Sequence, residues 1–296
     1  MDKDKATISH QTVTDTVRAN NPSPMTGPGT NSYVLRNQGA AVVIDPGPDD
    51  PAHLAALLAT IGTDSVSAIV VTHAHRDHSA LARRLARKTS APVMAYGGAD
   101  SGRHPTIENL LQTGLQLSGE GADHSFTPDV MLKDGDRIPF GQEILRVLHT
   151  PGHMGGHICL AIGAALFSGD HVMGWAPSLI APPDGHMGDY MASLRRLMES
   201  AWEVILPGHG EPIINTTQRL EEVWLHRKTR EHAILTALAK GPASPKTLTK
   251  TLYATTNPTL WPAAERSVIS HLIDLHERSE VFTDTGFHSH SLFNLI

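Results

Sequence analysis

The chain has 296 residues, with 24 basic and 30 acidic side chains and a formal net charge of −6. Only 18% of the residues are charged, and one cysteine, Cys159, excludes both a disulfide framework and a metal site built from several thiolates. The unusual feature is the 19 histidines, because histidine is the commonest metal ligand and the usual proton carrier near neutral pH.

The N-terminal segment, residues 1–25, has neither the apolar stretch of a secretory signal nor the low acid content of a transit peptide. Apolar runs such as 68–71 are far shorter than the ~18 residues that cross a bilayer. We therefore expect a cytoplasmic protein without a membrane segment. Residues 1–215 carry 15 basic and 22 acidic side chains, and residues 216–296 carry 9 and 8, so charge disfavours a nucleic-acid partner.

Short apolar runs alternate with helical patterns through residues 1–215. The run 40–44 stops at Asp45-Pro46-Gly47, a helix is predicted over 52–58, and the buried strand 68–71 precedes another helix. Two successive groups of strands and helices along the chain predict a layered α/β domain. The remaining predicted strands are 92–95, 144–148, 158–162, 165–167 and 204–206, with a hairpin over 130–140 and a helix over 188–200.

The pattern changes after Pro212. Residues 216–240 form a long connecting helix that ends at Gly241-Pro242. Ser244-Pro245 is a helix-capping pair that opens a second helix, and Pro262 opens a third. Two short strands follow, so residues 241–296 are predicted to form a winged-helix-like domain.

Ligand-type residues follow four of the predicted strands. The strand 68–71 continues into Thr72-His73-Ala74-His75-Arg76-Asp77-His78. Residues two apart in an extended chain point to the same side, so His73 and His75 can share one ion, and the next helix carries Asp77 and His78 to a second position. The other three segments each end with one ligand-type residue: His153, Asp170 and His209.

This set resembles the metallo-β-lactamase superfamily, whose pattern is His-x-His-x-Asp-His followed by a His, an Asp and a final His. The resemblance covers about residues 25–215 and implies a four-layered αββα sandwich with two metals at one edge of its sheets. It implies two divalent ions, Zn²⁺ or alternatively Fe or Mn, that hold a shared hydroxide for attack on an ester-like bond. The implied ligands are His73, His75 and His153 for one metal, Asp77, His78 and His209 for the other, and Asp170 as the bridge.

The resemblance also implies supporting and catalytic roles. Asp77 would orient the hydroxide and accept its proton. His157, in the pattern Pro-Gly-His-x-x-Gly-His, would support the ligands without binding a metal. Substrate contacts are predicted for Asn31 and Tyr33 on an early strand, for Met173 and Trp175 on the loop after Asp170, and for Tyr190.

The whole chain resembles the β-lactamase-like protein 2 family, through residues 27–35, the Asp45-Pro46-Gly47 and Pro207-Gly208-His209 segments, and the C-terminal domain. That wider group includes an endoribonuclease cutting single-stranded RNA and fungal thioesterases that release polyketides from carrier proteins. Cys159 lies outside every ligand position, unlike the lactamases that use a cysteine ligand.

Three hypotheses remain open. The acidic surface and the apolar loop favour a hydrolase of a thioester, ester or lactone, acting on a small-molecule or acyl substrate. The whole-chain resemblance favours an endoribonuclease, and the third hypothesis is a non-catalytic metal-binding interaction protein. The C-terminal domain is interpreted as a lid or homodimer element, or alternatively as a nucleic-acid reader using Arg266, Ser270, His271 and Asp274.

Overall fold

The computed structural model describes residues 5–9, 12–115, 121–284, 286–288 and 290–296. The first of its sheets has seven strands and begins near the N-terminus. Its strands are adjacent in chain order, antiparallel through the fourth and parallel from the fourth onward. They are β1 Lys5–Ser9, β2 Thr12–Arg18, β3 Asn31–Asn37, β4 Ala40–Ile44, β5 Ser65–Val70, β6 Val93–Ala95 and β7 Val130–Met131.

The second sheet has five strands in the order β12-β11-β10-β9-β8. Its pairs are antiparallel except β11 with β12, which run parallel because a helix crosses between them. The strands are β8 Arg137–Phe140, β9 Glu143–His149, β10 Ile158–Ile162, β11 Ala165–Gly169 and β12 Val204–Pro207.

Helices cover both outer faces of the paired sheets. On β4, Val43 belongs to the apolar core under the helices, whereas Val42 and Ile44 belong to the core between the sheets. Successive side chains of a strand point to opposite faces, so one strand contributes side chains to both cores. The predicted αββα sandwich is therefore confirmed. The helices are α1 Pro51–Ile61, α2 Arg76–Ser79, α3 Ala82–Thr89, α4 Pro105–Gln112, α5 Met187–Met198, α6 Thr216–Leu238, α7 Pro245–Leu252 and α8 Trp261–Glu277.

The C-terminal helices form a separate apolar core with the short strands β13 Val281–Phe282 and β14 Asn294–Leu295. Ser244 caps α7, since its side chain accepts a hydrogen bond from the Thr247 amide, and Pro245 occupies the first turn. Helix α6 belongs to two cores, with Leu220 packed on the second sheet and Ile234 in the C-terminal core. No helix among the described residues is long and apolar enough to span a membrane.

Candidate metal centre

The ligand-type residues meet at one edge of the two sheets. His73 and His75 follow β5, Asp77 and His78 lie on α2, and His153 lies in the connection between β9 and β10. Asp170 follows β11 and His209 follows β12. The structure thus brings all seven candidate ligands together from four chain segments, and it groups them in overlapping triads: His73, His75 and His153; His73, His78 and Asp170; Asp77, His78 and His209.

The first triad has three ring nitrogens aimed at one another. Nδ1 of His75 lies 3.0 Å from Nε2 of His73 and 3.1 Å from Nε2 of His153. His153 Nδ1 donates to the Leu179 carbonyl at 2.7 Å, and His73 Nδ1 donates to Thr72 Oγ1 at 3.0 Å, because that hydroxyl donates onward to Asp45. Both Nε2 atoms therefore carry lone pairs, and one proton on His75 cannot satisfy both. A cation between the three nitrogens removes this conflict.

The second triad combines imidazoles with carboxylates. His78 Nδ1 lies 2.9 Å from Asp45 Oδ2, which leaves its Nε2 facing Asp77 at 3.3 Å and Asp170 at 3.4 Å. His209 Nε2 lies 3.3 Å from Asp77 and 3.4 Å from Asp170. Asp170 also approaches the first triad, with 3.7 Å to His153 Nε2. Its position between the triads is the one that a bridging carboxylate needs.

Three buried polar atoms at this edge, His75 Nε2, His78 Nε2 and Asp170 Oδ1, form no hydrogen bond with the described residues, although His78 Nε2 lies near two carboxylates. Burying such atoms unpaired is costly. The donor set of neutral imidazoles and carboxylates suits Zn²⁺ and also Fe or Mn. The residues therefore fit two divalent cations.

The electrostatics of the two triads differ. Burial, with the nearby His153, lowers the pKa of His75 to about 3, so this ring stays neutral and ready to bind metal. Burial also opposes a charge on His209, but the Asp170 and Asp77 carboxylates outweigh it and raise the pKa to about 9. Burial disfavours the charge of Asp77, yet His78 and His209 lower its pKa overall. Positive charge is thus favoured at the second triad.

Asp45, part of the Asp45-Pro46-Gly47 segment, supports the candidate ligands without belonging to either triad. It is 2% exposed, accepts the Thr72 amide and hydroxyl, and orients His78. Its role could have been predicted from the sequence, because Asp45 is an acidic residue that directly follows a buried strand of the same sheet as β5. His157 accepts the Asp170 amide at 3.2 Å through Nε2 and pairs with the Thr150 hydroxyl through Nδ1, so it holds the backbone of the candidate bridge.

Asn31 and Tyr33, which were predicted to contact substrate, are buried in this structure. They are 1% and 2% exposed. Asn31 Nδ2 donates to the carbonyls of Pro207 and Gly210 at 3.1 and 2.8 Å, and the Tyr33 hydroxyl donates to Pro207 at 2.7 Å. Their polar atoms hold the loop that carries His209, because both side chains face the interior of β3.

Two further residues that were predicted to contact substrate are also buried. Tyr190 is fully buried and its hydroxyl donates to the His171 carbonyl, and Met173 is 6% exposed. Trp175 differs, since it is 47% exposed and packs against Gly27 and Gly210. A Cβ at Gly210 would lie 2.7 Å from the indole, so glycine is required for this contact. Among these three residues, Trp175 is the one that is exposed.

Comparison with known families now decides the assignment. Residues 25–209 match the profile of the metallo-beta-lactamase superfamily. The chain belongs to this superfamily. Because the chain is a member, it is assigned to the metal-dependent hydrolases, a class of enzymes. Residues 244–286 match the beta-lactamase associated winged helix domain, which confirms the predicted C-terminal fold.

Relatives of this metallo-β-lactamase superfamily chain are similar over much of its length. It is 30% identical over 273 residues to the beta-lactamase-like protein 2 homolog of Drosophila melanogaster, covering 88% of this chain and 87% of that protein. It is 26% identical to the atrochrysone carboxyl ACP thioesterase of Aspergillus fumigatus, over 75% of this chain and 64% of that protein. The fold matches a metallo-beta-lactamase family protein of Thermus thermophilus with a TM-score of 0.76 and 23% identity, covering 96% and 98% of the two chains.

Proposed function

We propose that this protein is a dinuclear metal-dependent hydrolase of a thioester, ester or lactone. The observation that carries the proposal is the inward orientation of ring nitrogens and carboxylate oxygens in both triads, with Asp170 between them. His73, His75 and His153 would hold one ion, and Asp77, His78 and His209 the other. The proposed ions are Zn²⁺, with Fe or Mn as alternatives.

Two bound cations would polarise the scissile carbonyl and supply an activated water at neutral pH. Asp77 has a distinct task in the proposal. Its Oδ2 faces His78 and His209 and accepts the Thr30 hydroxyl at 3.1 Å, so this oxygen is fixed. None of these contacts uses its other oxygen, Oδ1, which would accept the proton of the attacking water.

The groove beside His209 supports an acyl substrate. This open groove has a volume of about 560 Å³, and its lining combines Pro28, Trp175, Pro212 and Ile213 with the polar side chains of Glu211, Asn215, Gln218, Arg219 and Glu222. Arg219 donates to the carbonyls of Met173 and Ala176 at 2.8 and 3.0 Å, which fixes the loop that presents Trp175. The groove reaches Gly210, which follows His209 in the chain, and its apolar part favours a substrate with an apolar portion. The similarity to a fungal thioesterase agrees with this choice.

An endoribonuclease is the alternative proposal, favoured by the similarity to the beta-lactamase-like protein 2 homolog along nearly the whole chain. The C-terminal domain does not strengthen it. Ser270, His271 and Asp274 of the proposed reading helix are 1%, 1% and 8% exposed, so they face the protein interior. A nucleic-acid surface would require these side chains to be accessible.

The test is a comparison of zinc- and manganese-loaded protein on an acyl-thioester and on an end-labelled single-stranded RNA. We expect thioester turnover that disappears in His75→Ala and falls by about a hundredfold or more in Asp77→Ala. RNA cleavage that is lost in His75→Ala, in the absence of thioester turnover, would support the endoribonuclease instead. Full thioester turnover by metal-loaded Asp77→Ala would contradict the proton-accepting role of Asp77. Metal binding with neither reaction would favour the interaction-protein hypothesis.

A further inference from the structure

The loop between β2 and β3 joins Asn21 to Thr30 by two hydrogen bonds. The Thr30 amide donates to Oδ1 of Asn21 at 2.9 Å, and Nδ2 of Asn21 donates to the Thr30 hydroxyl oxygen, Oγ1, at 3.0 Å. A backbone amide can only donate, so it must face the side-chain oxygen of Asn21 rather than the nitrogen. The two bonds therefore fix which end of the Asn21 side chain faces the Thr30 hydroxyl.

This arrangement decides the direction of the Thr30 hydroxyl proton. A hydroxyl has one proton to donate, and its oxygen can accept from other groups. Nδ2 of Asn21 supplies a proton and cannot accept one, whereas the carboxylate oxygen Oδ2 of Asp77, 3.1 Å from Thr30 Oγ1, can accept. Thr30 is fully buried, so bulk water does not compete for the proton. The hydroxyl is thus directed at Asp77.

The conformation of the loop keeps Asn21 beside Thr30. The Ala19 amide donates to the Thr30 carbonyl at 2.8 Å, and the Thr26 hydroxyl donates to the Asn21 carbonyl at 2.6 Å. Gly29, which directly precedes Thr30, has a φ of +128°, and a Cβ there would lie 2.1 Å from the Ala19 carbonyl oxygen. Glycine is therefore required for the close approach of the two chain segments.

Thr30 also contacts the chain segment that carries His209. The two residues form an antiparallel β-bridge, and the amide of Asn31 donates to the Gly208 carbonyl at 2.7 Å. Nε2 of His209 lies 3.3 Å from Oδ2 of Asp77, the same oxygen that accepts the Thr30 hydroxyl. The backbone of Thr30 is thus set against one candidate ligand of the second triad, while its side chain holds another.

We propose that Thr30 and Asn21 are positioning residues that assign the two carboxylate oxygens of Asp77 to different tasks. Thr30 holds Oδ2 toward His78 and His209, where the second cation would bind, and Oδ1 stays available to accept the proton of the attacking water. Asn21 acts one contact further out, by directing the Thr30 hydroxyl. The inference rests on the proposed hydrolysis and gives roles to two residues outside the candidate ligand set.

Asp77 needs such a contact because little else restrains its carboxylate. Its side chain is 27% exposed, and the helix α2 that carries it has only four residues. The terminal torsion of an aspartate is broad and roughly two-fold, so the two oxygens can exchange places when no partner holds one of them. A misplaced proton acceptor lowers the rate of the chemical step and leaves substrate affinity unchanged.

Three substitutions in the full chain test the proposal. Thr30→Val removes the hydroxyl and keeps the branched shape, whereas Thr30→Ser keeps the hydroxyl. Asn21→Asp replaces the donor Nδ2 with a second acceptor. The Thr30 amide still has its acceptor in this variant, but the hydroxyl proton is shared between Asp77 and the introduced carboxylate.

Two further variants are the matched controls. Thr14→Val is the control for Thr30, because Thr14 is also buried and its hydroxyl forms no hydrogen bond among the described residues. Asn109→Asp is the control for Asn21, because it adds the same charge at an exposed position of α4.

We expect Thr30→Val and Asn21→Asp to lower kcat of the zinc-loaded protein on an acyl-thioester by about tenfold or more, the worth of one hydrogen bond to a charged group, with KM changed by less than about twofold. Thr30→Ser should recover most of the activity lost in Thr30→Val, and both controls should match the wild type. Equal losses in Thr30→Val and Thr30→Ser, or a rise in KM alone, would overturn the role of the hydroxyl. Wild-type kcat in Asn21→Asp would overturn the role of Asn21.

Zinc affinity provides a readout that does not need turnover. In competition with a chelator, Thr30→Val should bind one zinc ion about tenfold more weakly, whereas Thr30→Ser and Thr14→Val keep the wild-type affinity. A crystal structure of zinc-loaded Thr30→Val should show the Asp77 carboxylate turned from its wild-type orientation. If the wild-type chain hydrolyses no thioester, the proposed reaction fails, and these two measurements still test the positioning. Unchanged zinc affinity together with an unchanged Asp77 orientation in Thr30→Val would overturn it.

Discussion

At the scale of single residues, the metal centre is ordered by atoms that would not bind metal. Four of its histidines use Nδ1 for a hydrogen bond and thereby present Nε2 to the centre. Such fixed rings lose little entropy when an ion binds. The pairs are His73 with Thr72, His78 with Asp45, His153 with the Leu179 carbonyl and His209 with the Gly29 carbonyl.

Asp45→Asn should weaken the second metal site. The amide can still fill the space, but it has one acceptor oxygen and cannot accept the Thr72 amide on one side and His78 with the Thr72 hydroxyl on the other. We expect metal affinity or turnover to fall by about tenfold to a hundredfold, the usual effect of removing such a supporting partner. Metal titration of the purified protein measures it. Asp64→Asn, a half-exposed carboxylate before β5, is the control, and equal affinities in both variants would disprove the role of Asp45.

Cys159 should be unreactive in the folded protein. It is fully buried, and burial raises the pKa of its thiol to about 12, although Thr150 donates to the sulfur at 3.2 Å. The thiolate is the reactive form, so with this raised pKa alkylation at pH ~8 should be slower than for a free thiol by about a hundredfold or more. Mass spectrometry after timed iodoacetamide treatment tests this, with denatured protein as the control. Rapid labelling of the native chain would contradict it.

At the scale of secondary-structure elements, the order of ligands along the chain was predictable, but the direction of several side chains was not. Ligand-type residues at strand ends were evident from sequence because parallel strands end at one edge of a sheet. Asn31 and Tyr33 lie two residues apart on one face of β3, and nothing in the sequence Asn31-Ser32-Tyr33-Val34-Leu35 shows that both reach inward to the Pro207 loop.

The end of α8 is joined to the start of α5 through a histidine. His186 Nε2 lies 2.9 Å from Glu277, and its Nδ1 lies 3.6 Å from the Asp189 carboxylate. Burial lowers the pKa of His186, but Asp189 and Glu277 outweigh burial and raise it overall. The protonated ring therefore links the C-terminal domain to the loop before α5.

Glu277→Gln should destabilise the protein in a pH-dependent manner. Because the folded-state pKa of His186 is raised above about 6.5, the stabilisation is complete below that pH and is lost as pH rises through the raised value. We expect a loss of about 1–2 kcal/mol in unfolding free energy at pH ~6, and less at pH ~9. Urea unfolding at both pH values measures it.

The control for this measurement is Glu280→Gln, which removes a carboxylate from an ion pair with Arg278 close to the same helix end. No histidine takes part in that pair, so its effect should be small and should not vary over this pH range. Equal losses for the two variants at both pH values would show that Glu277 acts without His186.

At the scale of the whole molecule, the metal centre joins the two sheets. His73 to His78 come from the first sheet, whereas His153, Asp170 and His209 come from the second. Ions bound by both groups would crosslink the layers beside the apolar core that lies between the sheets. The C-terminal core, with Leu248, Leu272 and Phe293, is separate from this edge.

Removing metal should therefore loosen the sandwich and leave the C-terminal core largely unchanged. At metal concentrations about a thousandfold above Kd, binding stabilises by about 4 kcal/mol, so chelation should lower Tm by roughly 10 °C. Hydrogen exchange should increase at residues 72–78, 150–157 and 206–210, but not in α7 and α8. Zinc should restore both properties in the wild-type chain and much less in His75→Ala, which lacks one ligand of the first triad. A uniform rise in exchange over the whole chain would show instead that the metal centre and the C-terminal core unfold as one unit.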